Sequence, residues 1–110
     1  MSLRDKQVEF ARALPRLIDR AFELGYQVTL GDAYRDPRND VNDEPPYGSK
    51  SSKHRRRLAI DLNLFTPDRD GNYQYCTDTE QHEELGHFWQ LLGGRWGGDW
   101  NDGNHYEWPL

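Results

Sequence analysis

The stretch Leu58–Phe65, LAIDLNLF, limits the fold more than any other part of this chain. Side chains alternate across an extended strand, so Leu58, Ile60, Leu62 and Leu64 share one face, and Ala59, Asp61 and Asn63 share the other. Asp61 is thus an acid set inside an apolar strand. Burying a carboxylate without a partner is expensive, so Asp61 needs either a cation or a metal ion beside it. A salt bridge to a neighbouring arginine is the simpler answer. A metal site is the sharper one.

The rest of the chain supplies elements to pack around that strand. Phe10, Leu14, Leu17, Ala21 and Leu24 recur at helical steps from about Leu3 to Leu24. Pro15 lies within this pattern and is expected to bend or split it, and Gly25 to end it. Tyr26–Tyr34 alternates as a strand, with Arg35 at its end. Residues 36–53 are rich in Pro, Asn, Asp, Gly and Ser, which predicts a long loop, and long loops in small domains are often functional. An Asp-Gly turn at 67–72 should return Tyr73–Tyr75 as a short hairpin strand. Thr79 is placed to cap a helix reaching about Leu92, which Gly93-Gly94 ends. Short strands are expected at Arg95-Trp96 and at 105–108. This order predicts one α+β domain over residues 1–110, with a mainly antiparallel sheet packed against helices.

Composition narrows the functional classes. The net charge of −5, from 14 basic and 19 acidic residues, argues against a nucleic-acid binder. The run Arg55-Arg56-Arg57 is a solvated basic loop or a patch for an anionic ligand. Cys76 is the single cysteine, which rules out an internal disulfide and fits a buried apolar thiol in a reducing compartment. The opening MSLRDKQVEF has no long apolar run, so neither a signal peptide nor a membrane anchor is expected, and synthesis in the cytoplasm follows.

Metal chemistry has a decoy and a better candidate. HEELGH, residues 82–87, carries two histidines five residues apart. On a helix that spacing turns the side chains about 140° away from each other, unlike the four-residue spacing of zinc-protease helices. His82 and His87 therefore read as ordinary helix residues. His54, in the loop before the Asp61 strand, and His105, in the last strand, combine with Asp61 into a mixed nitrogen and oxygen set suited to zinc. Three protein ligands leave a fourth position for water, although spacing alone does not single out this set.

The surrounding residues are more specific. SKHRRRLAID, residues 52–61, and DGNHYEW, residues 102–108, resemble the M15 zinc peptidases, the D-alanyl-D-alanine carboxypeptidase and L-alanyl-D-glutamate endopeptidase group. The similarity lies in a serine two before the first histidine, Ala and Asp in the following strand, and an acid three residues before the last histidine. Aspartate at that place and the continuation His-x-Glu are most similar to the phage-type endopeptidases. The family glycine between His54 and Asp61 is replaced here by Arg57.

The resemblance implies a hedgehog/DD-peptidase-like fold and one zinc ion held by His54, Asp61 and His105, with Mn, Co or Ni as other ions such donors accept. It implies Asp102 as general base, which takes a proton from a water that the metal has brought to a pKa near about 7. Arg35 would bind a substrate carboxylate or the oxyanion, and Ser52 would contact substrate. Glu107 would orient a ligand histidine. The implied substrate is a peptidoglycan stem peptide, with no nucleic acid or membrane partner. A monomer released to the wall at lysis is expected. D-Ala-D-Ala carboxypeptidase or dipeptidase action, or a non-catalytic zinc module of a phage structure, are the alternatives.

Overall fold

The computed structural model describes residues 1–32 and 56–110. Helix α1 spans Leu3–Glu23 and strand β1 spans Gln27–Leu30. They are followed by β2 (Ala59–Pro67), β3 (Tyr73–Tyr75), a 3-10 turn at Thr79–His82, α2 (Glu83–Leu91), β4 (Arg95–Trp96), a second 3-10 turn at Gly97–Trp100, and β5 (His105–Glu107). Among the described residues this is two helices and an antiparallel five-stranded sheet in the order β1-β2-β5-β4, with β3 also paired to β2. The expected α+β architecture is what forms. The strand foreseen at Tyr26–Tyr34 is described only as far as β1, and the loop at 36–53 lies outside the described residues.

Strand β2 organises everything else. Leu58, Ile60, Leu62 and Leu64 are all buried, as the alternation required. They pack with Phe10, Ala13, Leu17 and Ala21 of α1 and with Leu85 and Trp89 of α2. Helix α2, at nine residues, is too short to be stable alone, and both helices are held by the apolar stripe they place on this strand. A capping box at Ser2 and Asp5 starts α1, with the two side chains bonding each other's backbone N–H.

Two expectations are corrected. Pro15 does not split α1, which runs unbroken through it. The ring is exposed, while Ala13 and Leu17 on either side are buried, so packing offsets the one lost backbone bond. Thr79 does not cap α2. Asp78 stands at the cap of the 3-10 turn, with Gln81 bonding back to its N–H at 2.9 Å. The Thr79 hydroxyl instead accepts from Gly103 N–H at 3.2 Å.

HEELGH resolves as its spacing foretold. His82 is buried and its Nδ1 lies 2.8 Å from the Tyr106 hydroxyl. His87 is exposed and meets the edge of Trp96 at 5.8 Å. Burial pushes the His82 pKa down to about 4, so it is neutral at physiological pH. Cys76 is buried, and desolvation raises its thiol pKa. No helix among the described residues is long and apolar enough to cross a membrane.

The core is closed by tryptophans lying on glycines. A Cβ added at Gly86 would run into the Trp96 ring, and one at Gly94 into the Trp89 ring. Both rings are also anchored by their N–H groups, Trp89 to the Glu107 carbonyl at 2.9 Å and Trp96 to the Gly103 carbonyl at 2.7 Å. Neither indole can retreat cheaply. Gly86→Ala should therefore destabilise the protein by about 1–3 kcal/mol through overpacking, despite alanine's better helix propensity. Urea unfolding of the two proteins checks this; an alanine variant as stable as the parent would mean that the Trp96 ring moves freely.

Candidate active site

The site is built at the pairing of β2 with β5. Antiparallel register sets Asp61 directly opposite His105, and Ala59 opposite Glu107. Opposed residues share a face, so the Asp61 carboxylate and the His105 imidazole meet on the side of the sheet away from the Leu58–Leu64 row. His105 Nδ1 lies 3.4 Å from Asp61 Oδ1. Its other nitrogen, Nε2, lies 2.8 Å from Glu107 Oε1. Glu107 is two residues along the same strand and is buried. The ring is thus held between two carboxylates, one at each nitrogen.

Asp102 sits on the turn that enters β5. Its Oδ2 is 4.0 Å from His105 Nδ1, on the Asp61 side of the ring. The turn is fixed at both ends: Asp102 N–H donates to the Gly97 carbonyl at 2.8 Å, and His105 N–H donates to the Asp102 carbonyl at 3.0 Å. Gly97 permits this closeness, because a Cβ there would strike the Asp102 carbonyl. Gly103, next in the chain, is clamped by the Thr79 hydroxyl and the Trp96 indole. Asp102 is half-exposed and therefore open to a solvent molecule. Asp99, the other acid in this region, lies exposed on the preceding 3-10 turn.

Trp100 forms a wall. Its ring meets the His105 imidazole edge-on at 5.8 Å and is itself covered by the Arg95 guanidinium at 5.3 Å. The two tryptophans of this segment differ in place: Trp96 is buried, Trp100 half-exposed. Thr79 was not foreseen here, because its hydroxyl read as a helix cap. The only signal was the glycine at 103, which leaves a backbone N–H for a side chain to reach.

Arg35, Ser52 and His54 lie outside the described residues. The structure therefore brings together Asp61, Asp102, His105 and Glu107 from the expected set. Among the described residues no group of three or more metal-type donors stands ready on its own.

The donors present suit a divalent ion. Two ligands each about 2.0–2.2 Å from a tetrahedral zinc sit roughly 3.4 Å apart, by the usual bond lengths. Asp61 Oδ1 and His105 Nδ1 are separated by 3.4 Å. Glu107 on Nε2 fixes the ring so that Nδ1 faces Asp61, the arrangement by which a carboxylate orients a metal-binding histidine. In the protein alone, burial would push the His105 imidazolium pKa down, but hydrogen bonds and charge from Asp61 and Glu107 outweigh it and hold the pKa at about 9. The same two carboxylates that favour a proton there would favour a metal cation.

Arg57, which stands where a glycine was expected, has φ of 57°. That left-handed conformation is the one glycine adopts without strain. Arginine keeps the backbone angle, so β2 begins as a glycine would have begun it.

Residues 47–108 match the family model described as D-alanyl-D-alanine carboxypeptidase, of the M15 peptidases. A comparison with curated proteins finds no match.

Two measurements follow from this geometry. A histidine whose folded pKa is raised stabilises the fold below its unfolded value near 6.5, and that stability is lost as pH rises through about 9. Metal-free protein in chelator should thus show a melting temperature that falls between these limits. Glu107→Gln should flatten the fall; an unchanged slope would remove Glu107 from the account. At position 57, Arg57→Val should be less stable than Arg57→Gly by about 1–2 kcal/mol, because a β-branched residue tolerates positive φ worst. Equal denaturation midpoints would show that the turn relaxes.

Proposed function

This chain belongs to the D-alanyl-D-alanine carboxypeptidase family of M15 peptidases, and from that membership we propose that it is a zinc-dependent hydrolase of peptidoglycan stem peptides, with the L-alanyl–D-glutamate bond as its target. One observation carries the reading: Asp61 and His105 face each other at a zinc-compatible distance, with Glu107 behind the ring and Asp102 beside it. All four lie within the matched residues.

In this reading His54, Asp61 and His105 hold one zinc ion. When bound, the ion would polarise the scissile carbonyl and acidify water. The protein's own residues do the rest. Asp102 takes the water proton through its carboxylate and passes it to the leaving amine. Its position on a clamped turn keeps that carboxylate within reach throughout, which lowers the entropic cost of the transfer. Trp100 and its Arg95 cover wall one side of the His105 ring from solvent. Arg35 binds a substrate carboxylate or the developing oxyanion, and Ser52 contacts the substrate chain. Glu107 orients His105 and does not touch the reacting atoms.

The resemblance to the phage-type endopeptidases, carried by aspartate at position 102 and by Glu107 two residues after His105, supports endopeptidase action over release of terminal D-alanine. A non-catalytic zinc module remains the competing reading, with Arg57 as the feature in its favour. The left-handed backbone at Arg57 weakens that competitor, since the substitution leaves the local chain path intact.

Purified protein should contain one zinc per chain by elemental analysis, and His54→Ala should lose most of it. Digestion of purified peptidoglycan should give new D-glutamyl amino termini by mass spectrometry. Free D-alanine as the sole product would reject the endopeptidase assignment. Asp102→Ala should keep the zinc and lose about 10²–10⁴-fold in kcat, the usual worth of general acid–base catalysis. Parent and variant protein equally inert, each with a full zinc complement, would establish the non-catalytic module instead.

A further inference from the structure

The face of β2 that carries Asp61 does not end at the site. Asn63 and Phe65 follow it on the same face, four residues giving roughly 13 Å of strand. Register extends this line sideways: Thr29 lies opposite Asn63, Gln27 and Tyr75 opposite Phe65, and Tyr73 opposite Pro67. Side-chain contacts join the members. Asn63 Nδ2 donates to Thr29 Oγ1 at 3.3 Å, and the Tyr75 hydroxyl donates to Asn63 Oδ1 at 3.4 Å, reaching back towards Asp61. The rings of Phe65 and Tyr75 are tilted against each other with centroids 5.5 Å apart.

Two properties distinguish this strip from an ordinary solvated face. Tyr73 and Tyr75 are 43% and 50% exposed, leaving ring surface open to solvent. Beyond Asp61 the six residues Gln27, Thr29, Asn63, Phe65, Tyr73 and Tyr75 carry no charge, in a chain where 30% of residues are charged. An uncharged band of amides, hydroxyls and aromatic faces suits a neutral ligand with hydroxyl groups and apolar C–H faces. That is the chemistry of an N-acetylated pyranose. These six residues, among those described, offer a charged peptide segment no ionic partner.

Resting on the hydrolase reading above, we infer that this strip is a saccharide subsite, which holds the sugar end of a glycopeptide whose scissile bond lies at Asp61 and His105. The pyranose C–H face packs on Tyr75 and Tyr73, and Asn63 and Thr29 bond its hydroxyl and N-acetyl groups. Substrate with the glycan attached is thereby preferred to the bare stem peptide.

The test pairs two substrates, a free stem peptide and the same peptide on an N-acetylated disaccharide. The parent protein should cleave the glycopeptide with a kcat/KM about tenfold higher, the scale of one well-formed aromatic contact. Tyr73→Ser/Tyr75→Ser should abolish this preference and leave free-peptide cleavage unchanged. No preference in the parent, or equal losses on both substrates, overturns the inference in favour of a peptide-binding or structural strip. A titration of the parent with an N-acetylglucosamine tetramer, followed through the tyrosine ring resonances, needs neither turnover nor a variant. Shifts confined to Tyr73 and Tyr75 support the subsite even if no bond is cleaved, in which case only the hydrolase reading falls. Stem-peptide cleavage with no tyrosine shift overturns the subsite and leaves the hydrolase standing.

Discussion

The cross-strand pairing of Asp61 with His105 is the constraint on which the rest of this structure depends. It places a carboxylate in a strand whose other face is wholly apolar. A partly buried charge of that kind is costly unless a specific partner stands opposite it. Register provides the partner without any loop having to find it. The two strands are bonded along their backbones, so the side-chain geometry is inherited from the sheet. Glu107 and the Asp102 turn then act on a ring that is already fixed. A site assembled on strands holds its geometry more tightly than one assembled on loops, which is the condition for precise positioning.

The same pairing explains why so much of the molecule is committed to a few residues. Trp89 bonds the Glu107 carbonyl, Trp96 bonds the Gly103 carbonyl, and Thr79 receives the Gly103 N–H. Each of these contacts fixes backbone close to His105 or Asp102. The core of the protein and the support of the site are one network. The helices bury an apolar stripe, and the indoles of Trp89 on α2 and Trp96 on β4 hold the strand that carries the imidazole and the turn that enters it.

Much of this was legible in the sequence, and the reasons differ by element. The alternation of LAIDLNLF determined both the core face and the odd position of Asp61. The five-residue spacing of His82 and His87 excluded a shared metal, and the structure sends one inward to Tyr106 and the other to solvent. Spacing within DGNHYEW placed Asp102, His105 and Glu107 on one turn and strand. What sequence could not give was the cross-strand register, which depends on a contact between residues far apart in the chain. Thr79 was misread because a hydroxyl before a helix looks like a cap wherever its real partner lies. The unbroken course of α1 through Pro15 was not legible, because local propensity is overridden by the burial of Ala13 and Leu17 around it. Arg35, Ser52 and His54 rest on the resemblance alone.

The indole-on-glycine contacts limit how this chain can change. Gly86 and Gly98 both lie under Trp96, and Gly94 under Trp89. No side chain can be gained at these glycines while the rings remain, and a smaller residue in place of a ring leaves a void. Divergent descendants would thus be expected to alter such positions in pairs; at Gly86 and Trp96, a bulkier helix residue would arrive together with a slimmer strand residue. The sites would show up as correlated columns rather than as independent ones.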